Sequence, residues 1–185
     1  MRRLPLLLIL AACPGNSDSD TDTDAPYRDP YNVTVGPYDA DIRTTAYGIP
    51  HILAEDEGSL GFGLGYAAAP DHICTLADQI LKTRSERSKY FGPGTNNSNV
   101  DSDFGWLHLE VRAHAETTWF DLPDILQKRL VGYAAGYNRY LEEVGNEGLP
   151  SLCRGAEWVK PIDHIDLLAY YYSLGQWGSG YAIVT

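Results

Sequence analysis

The stretch that most narrows the fold runs from Glu57 to Ala69, EGSLGFGLGYAAA. Small and apolar residues recur there at helical spacing, through Leu60, Leu64, Ala67 and Ala68, with Gly61, Gly63 and Gly65 between them. A helix interior carries each glycine at a cost of about 1 kcal/mol against alanine, so three in one turn-rich stretch need a reason. A nucleotide-binding loop is not that reason: the G-x-G-x-x-G spacing is absent and no P-loop lysine follows. Close approach of a neighbouring helix is the better explanation. Pro70 is expected to kink or restart the helix, because it lacks an N–H and crowds the preceding turn.

Around this helix the pattern gives a short hairpin followed mostly by helices. Asp41 to Thr45 and His51 to Ala54 read as strands about the turn residues Tyr47-Gly48-Ile49-Pro50. Asp71 to Tyr90 carries Ile73, Leu76, Ala77, Ile80 and Leu81 on one face, which reads as core. Lys82, Arg84, Glu86 and Arg87 follow; Arg84, Glu86 and Arg87 can bind an anion, although a solvated helix face is the usual meaning of such a run. Phe91 to Asn99 is a loop by composition. Asp101 or Ser102 is expected to cap a helix through Trp106, Leu109 and Val111. Asp121 or Pro123 starts another through Ile125, Leu126, Leu130, Val131, Ala134, Tyr137 and Leu141, ended by Gly145 to Pro150. A last helix runs from near Pro161 past Asp166 to about Trp177.

The N-terminus differs in kind. Met1-Arg2-Arg3 precedes an apolar run, Leu4 to Ala12, far short of the ~20 residues of a membrane-spanning helix. It reads as a signal peptide over residues 1–12. Leu10-Ala11-Ala12-Cys13 resembles the bacterial lipobox, in which a diacylglycerol is attached to the cysteine sulfur. Cys13 is therefore expected to be lipidated, and the protein to be an exported lipoprotein held at a membrane surface, on the periplasmic face or the cell surface. Residues 13–26 form an acidic tether with Asp18, Asp20, Asp22 and Asp24; its D-x-D-x-D start lacks the glycine and glutamate of a calcium loop. The globular part is residues 27–185.

The chain carries 14 Lys+Arg against 25 Asp+Glu, a formal net charge of -11. That balance excludes a nucleic-acid partner, which needs a basic footprint. Beyond Cys13 only Cys74 and Cys153 remain. Two thiols in an exported chain suggest one disulfide, worth roughly 4–5 kcal/mol in the chain-entropy model, the alternative being two buried free thiols. The five histidines, His51, His72, His108, His114 and His164, are scattered without metal-ligand spacing, so no metal site is assigned. Gly178-Ser179-Gly180 is not a G-x-S-x-G nucleophile elbow. The residues alone assemble no active site.

Several segments belong together in order: Ile42-Arg43-Thr44-Thr45-Ala46-Tyr47-Gly48-Ile49-Pro50-His51-Ile52, Leu60 to Ala67, Asp71, and Cys74 to Asp78. The series continues through Arg84 to Gly92, Asp101 to Phe104, Gly136 to Leu141, and Leu149 to Gly155. Taken together, these segments resemble the penicillin acylase family. The branch is similar to the acyl-homoserine-lactone and aculeacin acylases. This chain departs from the family pattern at Pro70, where glutamine is usual, and at Thr44 or Thr45, where an acid is usual.

The resemblance implies an α+β fold: the N-terminal, α-chain part of a four-layer αββα N-terminal-nucleophile hydrolase, itself mostly helical with a short N-terminal β-hairpin. In that family a precursor cuts itself into α and β chains. The first serine of the β chain is the nucleophile and its own α-amine the base, and the oxyanion donors also come from the β chain. The match covers only the α segment, so the chain is expected to be truncated at its C-terminus, to hold no catalytic residue and to be inactive alone. Ser179 does not suit the nucleophile's place, because Gly180 follows it where the family has asparagine. The expected partners are the β chain of the same precursor and a small acyl-amide substrate, such as a penicillin, an acyl-homoserine lactone or a lipopeptide. The last helix of the family's α chain walls the acyl pocket, which makes Trp177 and Tyr181 the candidate pocket residues. No cofactor is expected; calcium binds some members, but the resemblance carries no ligand to a position here. The alternative is a non-catalytic, lipid-anchored binding module derived from this half-fold.

Overall fold

The computed structural model describes residues 31–32 and 38–180. The signal peptide, Cys13, the tether and Tyr181 lie outside them.

Three short strands, β1 (Tyr31–Asn32), β2 (Asp41–Thr44) and β3 (Pro50–Leu53), form an antiparallel sheet in that order. Ile42 faces Ile52 and Thr44 faces Pro50 across the β2–β3 hairpin. The turn closes through Gly48, whose φ of +82° suits glycine, with the Gly48 N–H donating to the Thr45 carbonyl. Pro50 is tolerated because it opens an edge strand and need not donate to a further ladder.

Helix α1 (Glu57–Thr83) starts at Asp56, whose carboxylate accepts from the Ser59 N–H at 2.9 Å and the Ser59 hydroxyl at 2.6 Å. It runs unbroken for 27 residues with Pro70 in its interior, so the proline neither restarts nor ends it. Pro70 is exposed, so the position that lacks an N–H lies at the surface of the helix. The core stripe of the first half is also not the expected one. Leu64 is exposed and Leu60, Ala67 and Ala68 are half-buried, whereas Gly58, Gly61, Phe62, Gly63 and Gly65 are buried.

Those glycines let two backbones touch. Helix α5 (Asp124–Gly148) lies against α1, and a Cβ added at Gly61 would meet the Arg129 carbonyl oxygen at 2.2 Å, one at Gly65 that of Tyr133 at 2.2 Å. The contact is reciprocal: Gly132 faces the Gly58 carbonyl at 1.9 Å and Gly136 that of Phe62 at 2.0 Å. Gly63 points the other way, toward Ile52 and Ala40, and seats the sheet on the helix. Helix α1 is thus flattened on two sides. On α5 itself Leu130, Ala134, Tyr137 and Leu141 are buried, while Ile125, Leu126 and Val131 face outward.

The remaining boundaries shift where a non-glycine residue takes a left-handed conformation. The segment read as one helix from Asp71 to Tyr90 breaks at Ser85 (φ +58°), and the short α2 (Arg87–Phe91) follows. The helix expected from Asp101 or Ser102 to Val111 instead spans Ser98–Leu109 (α3). Glu110, at φ +49°, separates it from α4 (Val111–Thr118). Helix α6 covers His164–Gly180. The main core gathers Ile73, Ile80, Ala115, Tyr137 and Leu168 from α1, α4, α5 and α6, with Leu149 just past the end of α5.

Candidate functional site

The candidate site is the outer half of α6 and the groove beside it, and its placement begins at the start of that helix. Asp163 and Asp166 form a reciprocal cap: the Asp166 N–H donates to Asp163 Oδ1 at 2.8 Å and the Asp163 N–H to Asp166 Oδ2 at 2.9 Å. Asp166 is fully buried and also receives two guanidinium groups. Arg84 donates through Nε to Oδ1 at 2.7 Å and through a second, short bond to Oδ2, and Arg112 of α4 also donates to Oδ1. One carboxylate therefore joins the end of α1, α4 and α6. Arg84 is neither a free anion site nor part of a solvated face.

The electrostatics of this cluster are self-consistent. Burial works against the Arg84 charge, but the bonds and field of Asp166 outweigh it and raise its pKa further. Burial likewise opposes the Asp163 carboxylate, yet the Asp166 N–H and Arg112 hold it below the usual aspartate value.

Two further devices fix the approach to α6. The Asn138 side chain clasps the backbone of Ile162 with both its groups at 2.8 Å. Cys74 of α1 and Cys153, in the turn after α5, are joined in a disulfide with Cα atoms 5.6 Å apart. Downstream, Tyr172 bonds Thr118 at 2.7 Å and lies against His114, so α6 is braced on α4.

Past Ser173 the helix emerges from the core. Tyr171, Leu174 and Trp177 are about half exposed. Between α4 and this emerging end lies an open groove of about 680 Å³, lined by Val111, His114, Tyr171, Tyr172 and Gly175 among others. Trp177 stacks near Lys82, which also reaches Trp106. The sequence reading singled out Trp177 but not Lys82, Arg112 or Asn138. The D-x-x-D pattern at 163–166, just before an apolar run, is the one signal that points to the helix start.

Among the described residues no group of three or more His, Cys, Asp or Glu side chains converges to hold a metal ion. A calcium site thus finds no fitting donor set in them, and no chemical step here runs through one. No described helix is long and apolar enough to cross a membrane.

Comparison with known proteins places this architecture. The penicillin amidase family matches residues 39–179. The acyl-homoserine lactone acylase PvdQ of Pseudomonas fluorescens is 46% identical over 135 residues, 70% of this chain and 17% of the relative. That of Pseudomonas putida is 44% identical over 133 residues, with the same coverage of each. The aculeacin-A acylase of Actinoplanes utahensis is 37% identical over 140 residues, 71% of this chain and 18% of its own length. A thermostable penicillin G acylase from Alcaligenes faecalis shares the fold with a TM-score of 0.69 at 23% identity, covering 77% of this chain and 74% of that one. The chain spans under a fifth of the length of the curated relatives it matches. By this match, the chain belongs to the penicillin amidase family.

Proposed function

We propose that this chain is the α-chain segment of an exported acylase that hydrolyses the amide bond between an acyl chain and an amine. The observation that carries the reading is the 46% identity to an acyl-homoserine lactone acylase, held over 70% of this chain but only 17% of the relative. On this reading the nucleophilic serine, its α-amine base and the oxyanion donors belong to a β chain outside this sequence. The segment contributes a wall of the acyl pocket, with Trp177 and Tyr181 as contact residues. The large apolar side chains exposed on β3, α5 and α6, including Leu53, Ile125, Leu126 and Leu174, suit burial against that β chain. Cys13 carries the lipid that holds the enzyme at the membrane surface.

The test is to express the full reading frame and assay acyl-homoserine lactone, penicillin and lipopeptide amides. Amide hydrolysis, with a serine at the N-terminus of a second processed chain, is the expected result. Turnover by residues 1–185 alone would refute the placement of the nucleophile. A full-length product that is never processed and never hydrolyses an amide would leave the non-catalytic alternative. For the anchor, mass spectrometry of the mature N-terminus should find a diacylglyceryl group on Cys13 that Cys13→Ala abolishes.

A further inference from the structure

Lys82 occupies an unusual position for a surface lysine. It is half-buried in the last turn of α1, and its carbonyl accepts the Ser85 N–H at 3.0 Å, so its backbone is fixed. Its ammonium lies 5.1 Å from the ring centroid of Trp106 and 5.0 Å from that of Trp177. Both distances fall within the range of a cation–π contact, and tryptophan is the best partner for one. Trp106 is only 2% exposed and so is locked in the core. Trp177 is 48% exposed, at the end of α6 that has left the core after Ser173. The cation therefore bridges one immobile indole and one at the surface. Burial pushes the Lys82 ammonium below the ordinary lysine range, Arg87 adds to that, and Asp78 opposes it.

We infer that Lys82 is a positioning residue for the acyl-binding end of α6: seated between the two indoles, it holds the Trp177 ring in the orientation that meets the acyl chain. The inference rests on the reading of Trp177 as a pocket wall. On this reading Lys82 acts through the Trp177 ring, so it affects binding and leaves the chemical step alone. A cation also specifies this stack in a way an apolar side chain of similar length does not, because the attraction comes from the ring quadrupole.

The experiment compares Lys82→Met and Lys82→Arg in the full-length protein. Trp177 emission is isolated as the difference between each protein and its Trp177→Phe counterpart. Lys82→Met is expected to shift that emission and to raise its quenching by acrylamide, and Lys82→Arg to restore both. In the same proteins KM for an acyl amide should rise about three- to tenfold in Lys82→Met, the size of one lost cation–π contact, with kcat little changed and KM rescued in Lys82→Arg. Unchanged Trp177 emission in Lys82→Met overturns the proposal. So does an unchanged KM where Trp177→Ala raises KM, or a failure of Lys82→Arg to rescue. If Trp177→Ala itself leaves KM unchanged, the pocket reading falls and the acyl-positioning role falls with it, while the spectra still decide whether Lys82 holds the ring.

Discussion

Arg84 and Asp166 are 82 residues apart in sequence and make a two-pronged ion pair in which the carboxylate is fully buried. The pair matters because Asp166 also accepts the N–H of Asp163, the cap of α6, the helix that carries Trp177. Helix orientation and charge burial are thus settled by one side chain.

Asp166→Asn should accordingly be among the most damaging single changes. It leaves Arg84 and Arg112 facing a neutral group in a site without water access to the carboxylate position. Breaking a buried pair from one side costs about 3–5 kcal/mol, and urea unfolding of the full-length protein should show a loss of unfolding free energy of that size. A loss within the range of a surface ion pair, below about 1 kcal/mol, would mean that the cap and not the charge holds α6.

The glycine contact between α1 and α5 makes a sharper, position-specific prediction. Gly132→Ala drives a methyl group onto the Gly58 carbonyl, 1.9 Å from the added Cβ, with backbone on both sides and nothing flexible to yield. A loss of at least about 1–3 kcal/mol is expected from such overpacking. Gly105→Ala, in α3 with no described residue within 4 Å of the added atom, should be neutral or stabilising by up to about 1 kcal/mol. Thermal unfolding of the two variants side by side tests the contact and controls for helix propensity.

The same contact shows what could be read from the residues alone. The glycine run signalled a close neighbour, the hairpin followed from its turn residues, and the last helix was expected from near Pro161. The identity of the buried face was not legible, because a helix in backbone contact buries its glycines and turns leucines such as Leu64 outward. Local hydrophobic spacing assumes side chains do the packing. The breaks at Ser85 and Glu110 were also hidden, since neither residue is a usual left-handed one. Arg84 looked like surface charge for a similar reason: its partner sits 82 positions away, and no local pattern announces it.

Tyr137 offers a prediction in pH. Its ring is 1% exposed and its hydroxyl has no hydrogen-bond partner among the described residues. Burial raises its pKa well above the usual tyrosine value, with the Arg84 charge opposing. A folded-state pKa above the unfolded one gives stability that is complete below pH ~10 and is lost as pH climbs toward the folded value. Tyr137→Phe removes both the orphaned hydroxyl and this linkage. At neutral pH it should be neutral or mildly stabilising, and its stability should fall less steeply than the parent's when followed by denaturant titration from pH 9 to 11, a window estimated from the reference tyrosine value. An identical alkaline slope in the two proteins would remove Tyr137 from the account.

The last prediction concerns the end of α1. The Ser85 N–H donates to the Lys82 carbonyl and the Glu86 N–H to that of Leu81, both at 3.0 Å, which is the Schellman arrangement with Ser85 in the left-handed place. A residue with a Cβ pays roughly 1–2 kcal/mol there, and glycine does not. Glycine loses part of that gain through its freer unfolded chain, leaving Ser85→Gly more stable by about 0.5–1 kcal/mol. Ser85→Val should be destabilising instead, since a β-branched side chain at positive φ is strained further. The two variants move stability in opposite directions only if the left-handed turn is formed, so their melting temperatures test the turn that sets Lys82 and Arg84 in place.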